Sequence, residues 1–383
     1  MRTLRMNRLL PLFLSFPLLS LLGSCASAPT AAPALKTTTV VVDPPDEPLP
    51  IPLVELRGSA TEMGEQHGRE LSDRIRFLHT NYLDVFLARI GTGTRMLAYG
   101  GATMFEQKLS PEHRAEVQGL AAGAGLDERS IMLGQCFLDL TSMVACSTVS
   151  LPAEASADGV ARMGRNLDFP SLNVLDSRSA VLVFKPSDGR YAFASITWPG
   201  LLGVLSGMNE HGLVLCNMEV TRGPRMPVAM PYTMLYRTVL EKCRDVDEAV
   251  ALLQRTPRQT PNNIMLMDAA GNRAACELTP EGVVVRRGTP GKALISTNHQ
   301  RGQDCDTPGR CDRYDALHDQ SAAEFGKIDV KQIESMLAAA AQPRFTVQSM
   351  VFEPSNRVIY LATGKEAAKQ KFYRVDLKPH FRD

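Results

Sequence analysis

Neither sign of charge is in excess in this chain: 42 Lys and Arg stand against 41 Asp and Glu, a formal net charge of +1. No overall field therefore draws it onto nucleic acid or an anionic membrane. Aromatic residues are sparse at 6%, with a single Trp, yet 44% of the 383 residues are apolar and only 22% are charged. That balance excludes disorder as the main state and suffices for the core of one large domain or two small ones. Eight cysteines are too few for a disulfide scaffold of this length. The common phosphate loop (GxxxxGK before Ser or Thr), the HExxH zinc pair, the EF-hand loop and CxxC are all missing. So is the GxSxG elbow, which argues against a serine hydrolase of the α/β type. No internal repeat and no doubly wound βαβ rhythm is found, and neither a cofactor nor a metal is expected.

The chain opens with a segment that should be set apart from the fold. Arg2, Arg5 and Arg8 form a basic region, Leu9 to Leu22 is apolar but broken by Pro11 and Pro17, and Leu22-Gly23-Ser24-Cys25 follows. This reads as a secretory signal, too short to span a bilayer permanently. Its last four residues resemble a bacterial lipobox, which makes Cys25 the expected site of lipidation; the alternative is a plain signal cut near Ala28. Removal of residues 1–24 takes the net charge to −2. Residues 25–52 are rich in Pro, Ala and Thr and read as a tether, so the expected setting is the bacterial cell envelope, with membrane contact through the lipid only.

The folded part is expected to begin at Leu53 with a strand to Ser59 and a helix from Ala60. In that helix Met63, His67, Leu71 and Ile75 share one face, with Gly64 and Gly68 beside it, a spacing that admits a close second backbone. His67 reads as a core histidine. Further helical patterns cover Phe77–Ile90 and Pro111–Ala122, the latter ended by Gly123 to Gly125. From Val144 strands dominate: 144–150, 160–166, 180–185, 191–197, 202–208 and 213–219, with Gly, Asp and Asn in the turns. Helices at 232–243 and 246–254 precede strands at 263–268, 273–278, 282–286 and 293–297. Helices at 312–323 and 330–340 lead to strands at 347–352, 358–361 and 372–375. Such runs predict an α+β fold: an αββα sandwich of two stacked antiparallel sheets flanked by helices.

Among the cysteines Cys146 is distinctive, because an apolar stretch turns there into small hydroxyl residues, Val144-Ala-Cys-Ser-Thr-Val149. Downstream come Gly164-Arg-Asn-Leu-Asp-Phe169, Gly207-Met-Asn-Glu-His-Gly-Leu213, Ser296-Thr-Asn-His299 and Asp312-Arg313. Five motifs in this order resemble the cysteine N-terminal-nucleophile hydrolases, and most of all the penicillin acyltransferase-like family of self-cleaving acyltransferases and amidases. Bile-salt hydrolases and acid ceramidases are more distant likenesses. The upstream stretches 57–68 and 116–126 are similar to that family's propeptide region, so the resemblance spans about residues 53 to 376. It implies cleavage between Ala145 and Cys146, leaving a propeptide-like chain, 53–145, and a catalytic chain, 146–383, within one domain.

A cysteine at a chain terminus carries its own base, an α-amino group with a pKa of roughly 7.7 to 8.0. The resemblance implies roles for the other motif residues. Asp168 accepts a hydrogen bond from that amino group, and Arg165 sits beside the thiol and favours thiolate. Asn298 matches a donor to the oxyanion, Asn217 a second one, and Arg313 a downstream arginine that steadies the site or a substrate carboxylate, with Arg310 as its competitor. The expected substrate is a small acyl amide or acyl ester. A lysophospholipase- or ceramidase-like acyl hydrolase and a non-catalytic envelope binding protein on the same scaffold are the alternatives. Substrate choice is expected from loops 171–179, 199–202 and 221–231, with an apolar lining at Trp198-Pro-Gly200 and at Met226 to Met230. Cys136, Cys216 and Cys276 read as buried small hydrophobes, Cys305 and Cys311 as a possible local disulfide, and Cys243 has no assigned role. The oligomeric state is not legible.

Overall fold

The computed structural model describes residues 48–141, 145–220, 228–302 and 311–382. The signal segment, Cys25, most of the tether, Cys305, Arg310 and most of loop 221–231 lie outside these residues. The chain enters as strand β1 (Leu53–Gly58) and helix α1 (Ala60–Glu70). Ser59 caps α1 in a reciprocal capping box: its hydroxyl accepts from the Glu62 amide, and the Glu62 carboxylate accepts from the Ser59 amide at 2.8 Å. Helix α2 (Ser72–Leu78) runs through a π-helical turn, His79–Leu83, into α3 (Asp84–Ile90). The single helix expected over 77–90 is thus interrupted by a widened turn.

Two helices absent from the sequence expectation follow, α4 (Thr92–Glu106) and α6 (Glu128–Leu140), on either side of α5 (Pro111–Ala124). Helix α4 begins without a side-chain cap and carries Gly100 and Gly101, so its local signal is weak. Helix α5 has the expected N-terminus, with Ser110 capping and Pro111 in the first turn; it runs past Gly123 to end at Gly125 in the left-handed region, φ 65°.

After residue 145 come β2 (Ala145–Leu151), β3 (Arg162–Asp168), β4 (Ala180–Pro186), β5 (Phe193–Thr197), β6 (Ser206–Asn209) and β7 (Val214–Glu219). Helices α7 (Tyr232–Lys242) and α8 (Val246–Arg255) lead to β8 (Asn262–Met267), β9 (Arg273–Thr279), β10 (Gly282–Arg287) and β11 (Leu294–Ser296). Helices α9 (Asp312–Ala323) and α10 (Val330–Ala339) lead to β12 (Thr346–Glu353), β13 (Val358–Thr363) and β14 (Tyr373–Asp376). The strands form an eight-stranded sheet, β1-β4-β5-β6-β7-β8-β9-β10, and a six-stranded one, β11-β2-β3-β12-β13-β14. All named pairs are antiparallel except β1–β4, which is parallel. That exception departs from the expected pattern, because β1 reaches its partner across the whole helical segment. Strands β2 and β7 face one another between the sheets, α9 and α10 cover the smaller sheet, and α7 and α8 lie against the larger one. This is the αββα sandwich.

Most strands are buried on both faces, which explains why their sequences lack clean alternation. In β2, Cys146 joins the core between the sheets, whereas Val149 and Leu151 pack outward with Ile333 and Leu337 of α10. Under the larger sheet's outer helices, Arg237 is fully buried. It forks onto both oxygens of Glu116 and donates to Glu241 at 2.8 Å, with its guanidinium 4.5 Å above the Phe184 ring.

The expected close helix approach is made by α5. A methyl at Gly64 would stand 2.3 Å from the Glu116 carbonyl oxygen, and one at Gly119 2.3 Å from that of Thr61. No side chain fits between these backbones. Gly119→Ala is therefore expected to cost about 2 kcal/mol or more by urea denaturation, whereas Gly100→Ala, where nothing lies within 4 Å, is expected to gain about 1 kcal/mol from helix propensity. Effects of equal sign at the two positions would contradict this account.

Candidate active site

Cys146 occupies the second position of β2 and is fully buried. Antiparallel pairing with β3 sets Cys146 against Leu167 and Thr148 against Arg165, so the Arg165 guanidinium approaches the thiol diagonally. Its Nη2 stands 3.5 Å from Sγ. The guanidinium is held by Asn217 on the opposite sheet, through that residue's backbone oxygen and, at 3.4 Å, its Oδ1. Burial pushes the Cys146 thiol up, while Arg165 pulls it back toward thiolate.

Asn298 follows β11 and reaches the nucleophile from the other side. Its Oδ1 accepts from the backbone N–H of Cys146 at 2.8 Å and from Arg313 Nη2 at 3.0 Å, while its Nδ2 donates to the Glu219 carbonyl at 2.7 Å. Three contacts of consistent polarity fix the amide with its oxygen toward Cys146. In the uncut chain Asn298 Oδ1 thus accepts from the nucleophile's own nitrogen. The Nδ2 of Asn217, in contrast, is buried and makes no hydrogen bond among the described residues.

Arg313, on the first turn of α9, donates through Nη1 to the Cys146 carbonyl at 2.6 Å and to Asp168 Oδ2 at 3.4 Å. It ties together the nucleophile's carbonyl, Asn298 and Asp168. Asp168 ends β3 and also accepts from the Thr346 hydroxyl on β12. Burial pushes its carboxyl up to about 6, against the pull of Thr346, Arg313 and Arg165. A carboxyl raised in the folded state contributes stability that is complete below its unfolded value, about 3.9, and is lost as the pH climbs through about 6. Thermal unfolding across pH 4 to 8 should therefore show the parent losing about 1–3 kcal/mol relative to Asp168→Asn as the pH rises; a constant difference would remove this assignment.

All six residues proposed from the motifs converge within the described structure. Two contacts had no signal in the sequence. Thr346 comes from a strand far along the chain. The Glu219 carbonyl holds Asn298. His67 is a buried core residue, as expected from its helix face, with Nε2 accepting from the Gly200 amide at 2.9 Å. His299 pairs with Thr297 through Nδ1 at 3.2 Å, and Cys311 is buried beside the same threonine.

An apolar cavity lies next to the end of β3, the strand that carries Arg165 and Asp168. Phe169, one residue past Asp168, lines it with Leu175, Trp198 and Pro199 on one side, and Tyr82, Phe137 and Leu138 on the other. Of the loops expected to shape a pocket, 171–179 and 199–202 contribute, yet half the lining comes from helices that precede Cys146.

Two stacked sheets, with a buried cysteine on an inner strand whose thiol and backbone nitrogen are both held by side chains, define the architecture of an N-terminal-nucleophile hydrolase. Residues 155–367, more than half of the chain, match the family described as Acyl-coenzyme A:6-aminopenicillanic acid acyl-transferase, and the protein belongs to that family. It is 26% identical over 238 residues to protein dcd1A of Dictyostelium discoideum, covering 55% of this chain and 53% of that one. It is 27% identical over 165 residues to the N-acylethanolamine-hydrolyzing acid amidase of Oryctolagus cuniculus, covering 41% and 44%. The match thus spans about half the length of these curated relatives. Among solved structures, the conjugated bile acid hydrolase of Clostridium perfringens is similar at 15% identity and TM-score 0.45, over 61% of this chain and 93% of that one. The N-acylethanolamine-hydrolyzing acid amidase ortholog of Caenorhabditis elegans is similar at 19% identity and TM-score 0.43, over 60% and 99%.

Proposed function

We propose that this protein is an exported, lipid-anchored enzyme that frees its nucleophile by cutting the Ala145–Cys146 bond and then hydrolyses or transfers an acyl group at an amide bond. The observation that carries the reading is the hydrogen bond from the Cys146 N–H to Asn298 Oδ1. Any buried backbone N–H needs an acceptor; here the acceptor is a side chain, which can stay with the nitrogen when that nitrogen becomes a free amine. In the cut, Sγ attacks the Ala145 carbonyl carbon and the Cys146 nitrogen leaves with a proton. Water then hydrolyses the resulting thioester to give an Ala145 carboxylate and a free Cys146 amine.

The same atoms then serve the substrate. The α-amine takes the thiol proton, thiolate attacks the amide carbonyl, and the oxyanion that forms is met by Asn217 Nδ2, which makes no hydrogen bond among the described residues. Arg165 opposes the burial that disfavours thiolate. The protonated α-amine returns its proton to the leaving amine, and the acyl thioester passes to water or to a second amine. The apolar cavity beside Asp168 suits the hydrocarbon part of the acyl group. Cys25 after its lipobox-like sequence supports the anchor and a place in the bacterial envelope.

Intact mass and N-terminal sequencing of purified protein test this directly. Two fragments are expected, the second beginning at Cys146 and the first at a lipid-modified Cys25, with turnover of N-acyl amides faster than that of matched lipid esters. A single uncut chain that is nevertheless active would overturn the cleavage, and faster ester turnover would favour the lipase-like alternative.

A further inference from the structure

The cavity beside the site has one polar feature that the proposed reaction leaves unused. Among the polar side chains lining it, Tyr82 is committed to the Pro170 carbonyl at 3.0 Å and the Trp198 indole to the Leu175 carbonyl at 3.0 Å. The third is His79, whose imidazole makes no hydrogen bond among the described residues. It opens the π-helical turn His79–Leu83, and that widened turn puts Leu78, His79, Tyr82 and Leu83 on one wall of the cavity. Such turns cost regular hydrogen bonding and persist where they aim a side chain. Gly134 of α6 lies against the ring: a methyl there would meet His79 Nε2 at 3.8 Å, in van der Waals contact, so the absence of a side chain at 134 leaves the Nε2 edge uncovered.

We propose that His79 is the specificity-determining contact of this cavity, and that it receives a hydroxyl or keto oxygen carried part-way along an otherwise apolar acyl group. The inference rests on the acyl-group reading above and deepens it. Burial lowers the histidine's affinity for protons against the pull of Asp84 and Asp127, so the ring is neutral and offers one N–H donor and one acceptor nitrogen. A wholly hydrocarbon chain would cover that ring without giving it a partner, whereas an oxygen function at its level satisfies it. Discrimination by a site built to bond an oxygen exceeds discrimination by shape alone.

Calorimetric titration of full-length Cys146→Ala protein with a series of decanoyl amides, one plain and the others carrying a hydroxyl or a ketone at successive carbons, tests this without relying on turnover. At least one substituted amide is expected to bind roughly tenfold more tightly than the plain one. His79→Phe should bring that ratio to about one, and His79→Asn, which keeps a donor and an acceptor, should retain part of it; circular dichroism verifies that each variant is folded. Equal binding of plain and substituted amides would overturn the role of His79 while leaving the acyl reading in place. So would an unchanged ratio in His79→Phe. Failure of every amide in the series to bind would overturn the acyl reading itself, and this inference with it.

Discussion

Cys146→Ala protein is expected to run as one uncut chain and to lose at least about four orders of magnitude in turnover, the scale on which removal of a covalent nucleophile acts. Two separate losses produce this result. Without Sγ nothing attacks the Ala145 carbonyl, so the α-amine never forms; without that amine and thiol together, no acyl thioester can form on substrate. The fold should survive, because Cys146 is a small buried residue whose backbone contacts to Asn298 and Arg313 involve main-chain atoms and not sulfur. Intact mass, the thermal midpoint and amide turnover read the three statements separately. Asn298→Leu offers the complementary case. It removes the acceptor for the Cys146 nitrogen while leaving the thiol and Arg165 in place, so cutting should slow and be recoverable by long incubation. An Asn298→Leu protein cut at the parent rate would contradict the role assigned to that hydrogen bond.

Arg237→Met should be the most destabilising single change outside the site, costing about 3–5 kcal/mol by urea denaturation. The side chain is fully buried and bridges Glu116 of α5 to Glu241 of α7, which also holds His113 at 2.9 Å and Arg190 at 2.7 Å. Removing one cation leaves two buried carboxylates facing each other with less compensation, and that desolvated charge, more than the lost attraction, sets the cost. Arg237→Lys keeps the charge and loses the fork, so an intermediate loss is expected. Neutralising the stranded partner with Glu116→Gln should restore part of the stability of Arg237→Met. A loss below about 1 kcal/mol for Arg237→Met, or no recovery with Glu116→Gln, would mean that the cluster is solvated or rearranges.

How far the fold could be read beforehand depended on where its determinants lie along the chain. Helix α9 has its expected limits, Asp312 to Ala323, and the hairpin of β4 and β5 has Gly and Asp in its turn, at Asp188 and Gly189, because those signals are local. Helix α4 lacks a cap and carries paired glycines, so tertiary contact overrides weak propensity there. The parallel β1–β4 pairing has no local correlate at all. At the site, the identities of Cys146, Arg165, Asp168, Asn217, Asn298 and Arg313 came from ordered motifs. Their mutual polarity did not: that the Asn298 oxygen, and not its nitrogen, points at Cys146 follows from Glu219 and Arg313, two neighbours fixed only by folding. Thr346 was invisible for the same reason, since it reaches Asp168 from a distant strand.

The seam between β1 and β4 has a consequence for how the protein can be recovered once unfolded. As a single chain, β1 and the helices after it are tethered to the rest, and the parallel pairing of Leu53 to Gly58 with Val181 to Pro186 forms at a rate independent of protein concentration. After a cut before Cys146 the same pairing joins two molecules. Refolding then becomes second order and competes with aggregation of an exposed β4 edge. The uncut Cys146→Ala chain should regain its structure from urea equally well at any dilution, whereas cut protein should return only when concentrated. Cutting would thus act as a one-way step that trades reversible folding for a lasting, kinetically held assembly.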